Sequence, residues 1–255
     1  SIVGVYDNTQ VFFYFGGNGN SRINLGGGQY RQPGSTITAK LNRGDDWLIA
    51  SEGAYSDLGG SKVKANKPVA VISGNHCADV PTGVAACDVL IEQEYPMTSW
   101  GRKYHVTPIG GRKRSSELRL FAKEVGTHFY RDYQNETQDQ AFWVNDATWG
   151  VEGVGWITTR ASIDSNTGMV VTADKPIEVV QYNPGINDDN VDSDPFQMML
   201  VPEEQFLNEI IFNTPGIRNG FGFDVNYINV VYKSDSTGQI PDDILLGDVV
   251  PATGE

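Results

Sequence analysis

The sequence predicts an all-β chain: two tandem, homologous β-sandwich-like units followed by the start of a third. Three observations carry this. Apolar residues come in short runs cut by Gly, Asn, Asp and Pro, and almost nowhere at the 3.6-residue period of a helix. The composition suits strands and turns, with 29 Gly, 12 Pro, 11 Tyr, 11 Phe and 5 Trp in 255 residues. A set of short segments also recurs in one order at a nearly constant spacing.

The runs expected as strands are, in order, Val11–Phe15, Thr36–Leu41, Trp47–Ser51, Val69–Ser73, Tyr104–Thr107 and Leu118–Ala122. They continue with His128–Tyr130, Gly155–Thr159, Met169–Thr172, Ile177–Gln181, Glu209–Asn213 and Tyr227–Tyr232. The clusters Gly16-Gly17-Asn18-Gly19-Asn20 and Gly26-Gly27-Gly28 read as turns. A phosphate-binding loop needs a helix behind it, and none is expected there.

The recurrence is clearest at Lys67-Pro68 and Lys175-Pro176, 108 positions apart, with Asn75 and Asn183 at the same spacing. Upstream, Asp45–Ser51 resembles Val154–Arg160, with Trp47 set against Trp156. Tyr95–Pro108 resembles Val201–Pro215: each runs Pro, aromatic, apolar strand, Thr-Pro. Leu118–Thr127 resembles Ile228–Thr237, 110 positions apart. The expected units are therefore 1–110, 111–226 and a partial third at 227–255. Units of that length suit β-sandwiches, whereas a propeller blade is less than half as long. A partial third unit needs an edge to pair with, on the second unit or on a neighbouring chain.

A net charge of −13 repels nucleic acid, and no basic stripe interleaved with aromatics offsets it. Arg112-Lys113-Arg114 is short and Gly/Ser-flanked, and is expected as a solvated loop. No apolar run approaches a membrane span, so no membrane insertion is expected. The chain opens at Ser1 without a leader-like segment, as in a processed product or a piece of a longer chain.

The cysteines are Cys77 and Cys87, without CxxC spacing or a surrounding His cluster, which argues against zinc. His76 and Cys77 are neighbours on an extended chain and point apart, which argues against a catalytic pair. A disulfide closing a short loop is the plain reading, and it implies an oxidising, secreted setting. The sequon at Asn135 agrees as a glycosylation candidate. None of the histidines lies in a catalytic frame, and the pairs Asp45/Asp46 and Glu203/Glu204 face apart on strands. No catalytic residue and no organic cofactor is expected. Calcium is the one candidate cofactor, at Asp188, Asp189, Asp192 and Asp194, beside the plainer reading of a solvated acidic loop. Arg43-Gly44-Asp45 spells an adhesion tripeptide but reads first as a hairpin turn. Trp47, Trp100 and Trp156 are expected in the core, and Trp143 and Trp149 in packing or as sugar-stacking aromatics.

The stretch Lys67–Pro81, followed by Ala86–Tyr104, resembles the N-terminal domain family of the IgG Fc-binding protein. Lys67, Pro68, Val69, Val71, Ser73, Gly74, Asn75, Cys77, Val80, Pro81, Cys87, Asp88, Glu92, Gln93, Pro96, Trp100 and Gly101 fill the family's typical run. Ser193–Pro215 and Val225–Lys233 also look like family stretches. The chain departs from the family at the Asp57-Leu58-Gly59-Gly60-Ser61 turn and in its long acidic loop 187–194. The resemblance implies a repeated extracellular β module from large mucus-associated, adhesive or matrix proteins, with protein or glycan partners. It carries over no antibody-binding residues. The resulting expectation is a non-catalytic, secreted structural or adhesive module that self-associates or contacts other extracellular proteins. The alternative is a recognition module for a glycan or a soluble protein such as immunoglobulin.

Overall fold

A computed structural model describes residues 1–17, 19–53, 55–124, 126–133, 136–138, 155–160, 168–212, 225–232, 245–246 and 250–251. The chain forms two compact units, Ser1–Ile210 and Ile211–Glu255. The described chain is nearly all β.

The first ten strands of the larger unit are β1 (Ile2–Gly4), β2 (Thr9–Tyr14), β3 (Arg22–Asn24), β4 (Tyr30–Arg31), β5 (Thr36–Leu41), β6 (Asp46–Trp47), β7 (Ser51–Glu52), β8 (Lys62–Ala65), β9 (Val69–Ala78) and β10 (Asp88–Gln93). They form a sheet of order β10-β9-β1-β6, a second of order β5-β2-β8 and a small β4-β3-β7 sheet. In β2 burial alternates strictly, with Thr9, Val11 and Phe13 inward, as a half-buried strand requires. Ile2, Val11, Phe13, Phe15, Ile23 and Leu41 make one core, edged by half-buried residues that include Trp47, Val63 and Val69.

The next seven strands are β11 (Gly101–Val106), β12 (Glu117–Ala122), β13 (Phe129–Tyr133), β14 (Glu136–Gln138), β15 (Gly155–Arg160), β16 (Met169–Asn183) and β17 (Phe196–Met199), with a one-turn helix α1 (Ile186–Asp189) between the last two. All seven belong to one hydrogen-bonded sheet system threaded by β16. Met169–Ala173 of β16 lies between β11 and β13, whereas Ile177–Asn183 lies between β12 and β17. One strand thus passes from one sheet layer to the other, with Lys175-Pro176 at the corner. A proline has no N–H to give to a ladder, which suits it to the point where partners change. A second core gathers Tyr104, Val106, Leu118, Leu120, Phe129, Met169, Val171, Ile177 and Val179.

The pairing pattern of the first ten strands recurs here. The order β10-β9-β1-β6 is matched by β17-β16-β12-β15, and β5-β2-β8 by β14-β13-β16. Register follows suit. Val71 faces Ile2 as Val179 faces Leu120, Val63 faces Phe13 as Val171 faces Arg131, and Ile72 faces Gln93 as Val180 faces Met199. Both Lys-Pro pairs sit at the corner between sheet layers. In the first half the corner is open, and Asn66 Oδ1 accepts the Gln10 N–H at 2.8 Å while Lys67 Nζ donates to the Asp7 carbonyl at 2.6 Å.

The tryptophan match shifts by one place: Trp47 faces Ile2, but the residue facing Leu120 is Ile157, and Trp156 faces Phe121. The two tryptophans therefore do not hold matching register positions. β11 precedes residue 110 yet pairs with β16 rather than with the earlier sheets. Ladder pairing joins segments distant in sequence, and a boundary drawn from sequence spacing does not see it. Two runs expected as strands differ as well. Residues 209–212 and 227–232 carry no strand, because no described segment pairs with either. In the smaller unit, β18 (Leu245–Leu246) pairs antiparallel with β19 (Val250–Pro251).

Candidate functional site

The residues singled out by the sequence converge on the junction between the two cores. β9 runs on past Ser73 to Ala78 because β10 pairs along its far end. Its extension delivers Cys77 to Cys87, and the two are joined by a disulfide with Cα atoms 5.0 Å apart. The loop so closed holds the cis Val80–Pro81 peptide and folds onto the segment after β16. Val80 is buried, and its carbonyl accepts the Gly185 N–H at 2.8 Å. Asn187 Nδ2 donates to the Ala85 carbonyl at 3.2 Å. A Cβ at Gly185 would come within 3.0 Å of the Ala86 carbonyl oxygen, so the close approach favours glycine there.

Beneath this contact lies a buried ion pair. Arg112 Nη2 is 2.8 Å from Asp189 Oδ1, with side-chain exposures of 2% and 1%. The same Nη2 donates to the Gly185 carbonyl at 3.2 Å, and Asp189 Oδ2 accepts the Lys113 and Arg114 amides at 2.9 and 3.3 Å. Arg114 reaches the buried Asp188 at 3.7 Å. The basic cluster is therefore not a fully solvated loop. A buried carboxylate needs a counter-charge and donors, and this cluster supplies both. Of the four candidate calcium ligands, Asp188 and Asp189 face these arginines, while Asp192 and Asp194 are exposed. Among the described residues no group of three or more His, Cys, Asp or Glu is placed to hold a metal.

Two more contacts tie the cores together. Arg119 of β12 pairs with Asp57 at 3.0 Å and lies over the Tyr182 ring. Asp57 is fixed by Ser21, which accepts its N–H and donates to its carbonyl, and Asp57 Oδ1 accepts the Gly59 N–H at 2.7 Å. The Tyr95 N–H points to Met199 Sδ at 3.4 Å. Facing away from Ile177 and Val179, Glu178 is 2% exposed, and its carboxyl oxygens make no well-formed hydrogen bond among the described residues, although the Val179 amide lies close enough to favour the charged form. Burial, opposed by the Val179 amide and helped by the nearby Glu94, pushes its pKa up to about 8. Glu94, bonded to Ser73 Oγ, is likewise raised by burial. Nothing in the sequence pattern signalled Glu178, a charged residue in an otherwise apolar strand centre.

The remaining expectations fall outside the junction. Arg43-Gly44-Asp45 is exposed between β5 and β6, which lie in different sheets, so it turns between layers and not within a hairpin. The Asp45 carboxylate accepts the Asn42 N–H at 2.7 Å within its own turn. His76, His105 and His128 lie on or beside three different strands, and His105 is 2.6 Å from Glu203. Trp100 is half-buried. Asn135, Trp143 and Trp149 lie outside the described residues.

The IgGFc binding protein family matches residues 1–253. The chain belongs to that family. A human relative, the IgGFc-binding protein, is 26% identical over 176 residues, which is 69% of this chain and 3% of the relative. The chain thus spans a small fraction of that protein. No solved structure matches it. Within the IgGFc binding family run, the Cys77–Cys87 staple and the Val80 contact serve the junction.

Proposed function

We propose that this chain is a non-catalytic, secreted structural or adhesive module, in which related β units at 1–110 and 111–226, with a partial third at 227–255, link into an extracellular assembly. The observation that carries the reading is the junction. A disulfide-closed loop and the Arg119–Asp57 bridge fasten two separate cores to each other, and the buried Arg112–Asp189 pair holds the segment on which that loop rests. Structure spent on fastening suits a load-bearing link. The disulfide and the family support an extracellular setting for such a module. Among the described residues no helix is long and apolar enough to cross a membrane.

A second reading is favoured by the relative's printed name: recognition of an immunoglobulin or another soluble extracellular protein. Titrating immunoglobulin Fc fragments and an immobilised glycan set against the chain separates the two. The structural reading expects no saturable binding. Saturation at or below about 1 μM, near −8 kcal/mol, replaces it with the recognition reading.

A further inference from the structure

Among the described residues, the first core lacks a strand that the second possesses. In the second, β11 covers the outer side of Met169–Thr172: Lys103 faces Thr172, Tyr104 faces Val171 and His105 faces Val170. In register, those positions correspond to Lys64, Val63 and Lys62 of β8. Yet β8 pairs with β2 alone among the described strands. Burial records the difference. Val171 and Ile177 are 0% exposed, whereas Val63 and Val69 at the matching places are only half-buried. Among the described residues, the first core is open along one edge.

The same chain carries an apolar segment that pairs with no described strand. Tyr95–Pro108, which contains β11, aligns with Val201–Pro215, so Tyr104 corresponds to Ile211 and Lys103 to Ile210. Tyr104 is fully buried, but Ile211 is 96% exposed, and Leu207, Ile210 and Phe212 are 72%, 70% and 54% exposed. Such consecutive exposed apolar residues mark a contact site. Charge agrees, with Lys62 and Lys64 on the open edge and Glu209 in the exposed segment. An unpaired edge and an extended apolar segment meet by strand addition.

We propose that Leu207–Phe212 of one molecule adds as a strand along the outer edge of β8 in a second copy of this chain. It takes the place that β11 takes beside β16 and seats Ile211 against Val63. The contact is heterologous, so it leaves one donor and one acceptor free on every pair and propagates head to tail. It rests on the structural-module reading and gives that reading its self-association contact.

The test uses the whole chain. Light scattering over a concentration series is expected to show the average mass rising above the 27.9 kDa monomer. Ile211→Asp, at an exposed site that folding does not need, is expected to hold the protein at monomer. Mixing Lys64→Cys with Ile210→Cys in a thiol–disulfide buffer is expected to give a covalent dimer, and Lys64→Cys with Phe206→Cys only background. A strict monomer at every concentration overturns the inference, as does association that survives Ile211→Asp or cross-linking without register preference. Those results leave the structural-module reading standing. Saturable immunoglobulin binding by the Ile211→Asp monomer overturns that reading instead.

Discussion

β9 and the second half of β16 share a register and a Lys-Pro entry, but not an environment. Val69, Ala70, Val71 and Ile72 are all half-buried, whereas Ile177, Glu178, Val179 and Val180 are all buried. Their own core faces are alike, so the difference comes from what lies on the other face and along the edge. β16 is covered by β11 on its first half and by the junction on its second. The strand pattern fixes which residues pair, and the neighbours decide how much each pairing stabilises.

That comparison is broken most forcefully at the junction. Arg112→Ala leaves Asp189 buried without a counter-charge and is expected to cost about 3–5 kcal/mol in chemical denaturation. An equal loss from Arg114→Ala, whose guanidinium is largely exposed, would mean that burial is not what matters at the pair.

Glu178 comes next. Its pKa is raised to about 8 from 4.5, so the folded state holds the proton more tightly than the unfolded chain does. The stability this contributes is complete below pH 4.5 and is lost as pH rises through about 8. Glu178→Gln is expected to flatten this decline and to gain on the order of a few kcal/mol at pH 8 relative to wild type. Thermal midpoints measured across that range check the sign, and a variant that tracks wild type throughout contradicts it.

A smaller effect is expected at the disulfide. Replacing Cys77 and Cys87 together by Ser is expected to cost about 2–3 kcal/mol by loop entropy. Wild type in reductant should match the double variant. The smallest effect sharpens the comparison best: Val171→Ala is expected to cost about 2 kcal/mol, and Val63→Ala less than about half of that, because the second side chain is already partly in water.

Much of this was legible in the residues. Short apolar runs gave the class, and Leu118–Ala122 and Thr36–Leu41 are strands nearly to the residue. The Lys-Pro spacing marked two corners whose pairing partners are comparable. Short polar strands were harder to see: Lys62-Val63-Lys64-Ala65 forms β8 only because β2 offers an edge. Arg112 read as solvated because its partner lies far along the chain at Asp189, and no local pattern announces such a pairing. Glu209–Phe212 has a strand's composition and no strand's partner, so composition alone misled.

Hydrogen exchange on dilute, monomeric protein tests the central claim most directly: that the first core is the second core's plan with one strand missing. The account expects outward-facing amides of Lys62–Ala65 to exchange roughly tenfold or more faster than those of Met169–Ala173. It also expects them to slow when a peptide spanning residues 207–212 is added. Equal protection of the two segments in the monomer, with no response to the peptide, contradicts it.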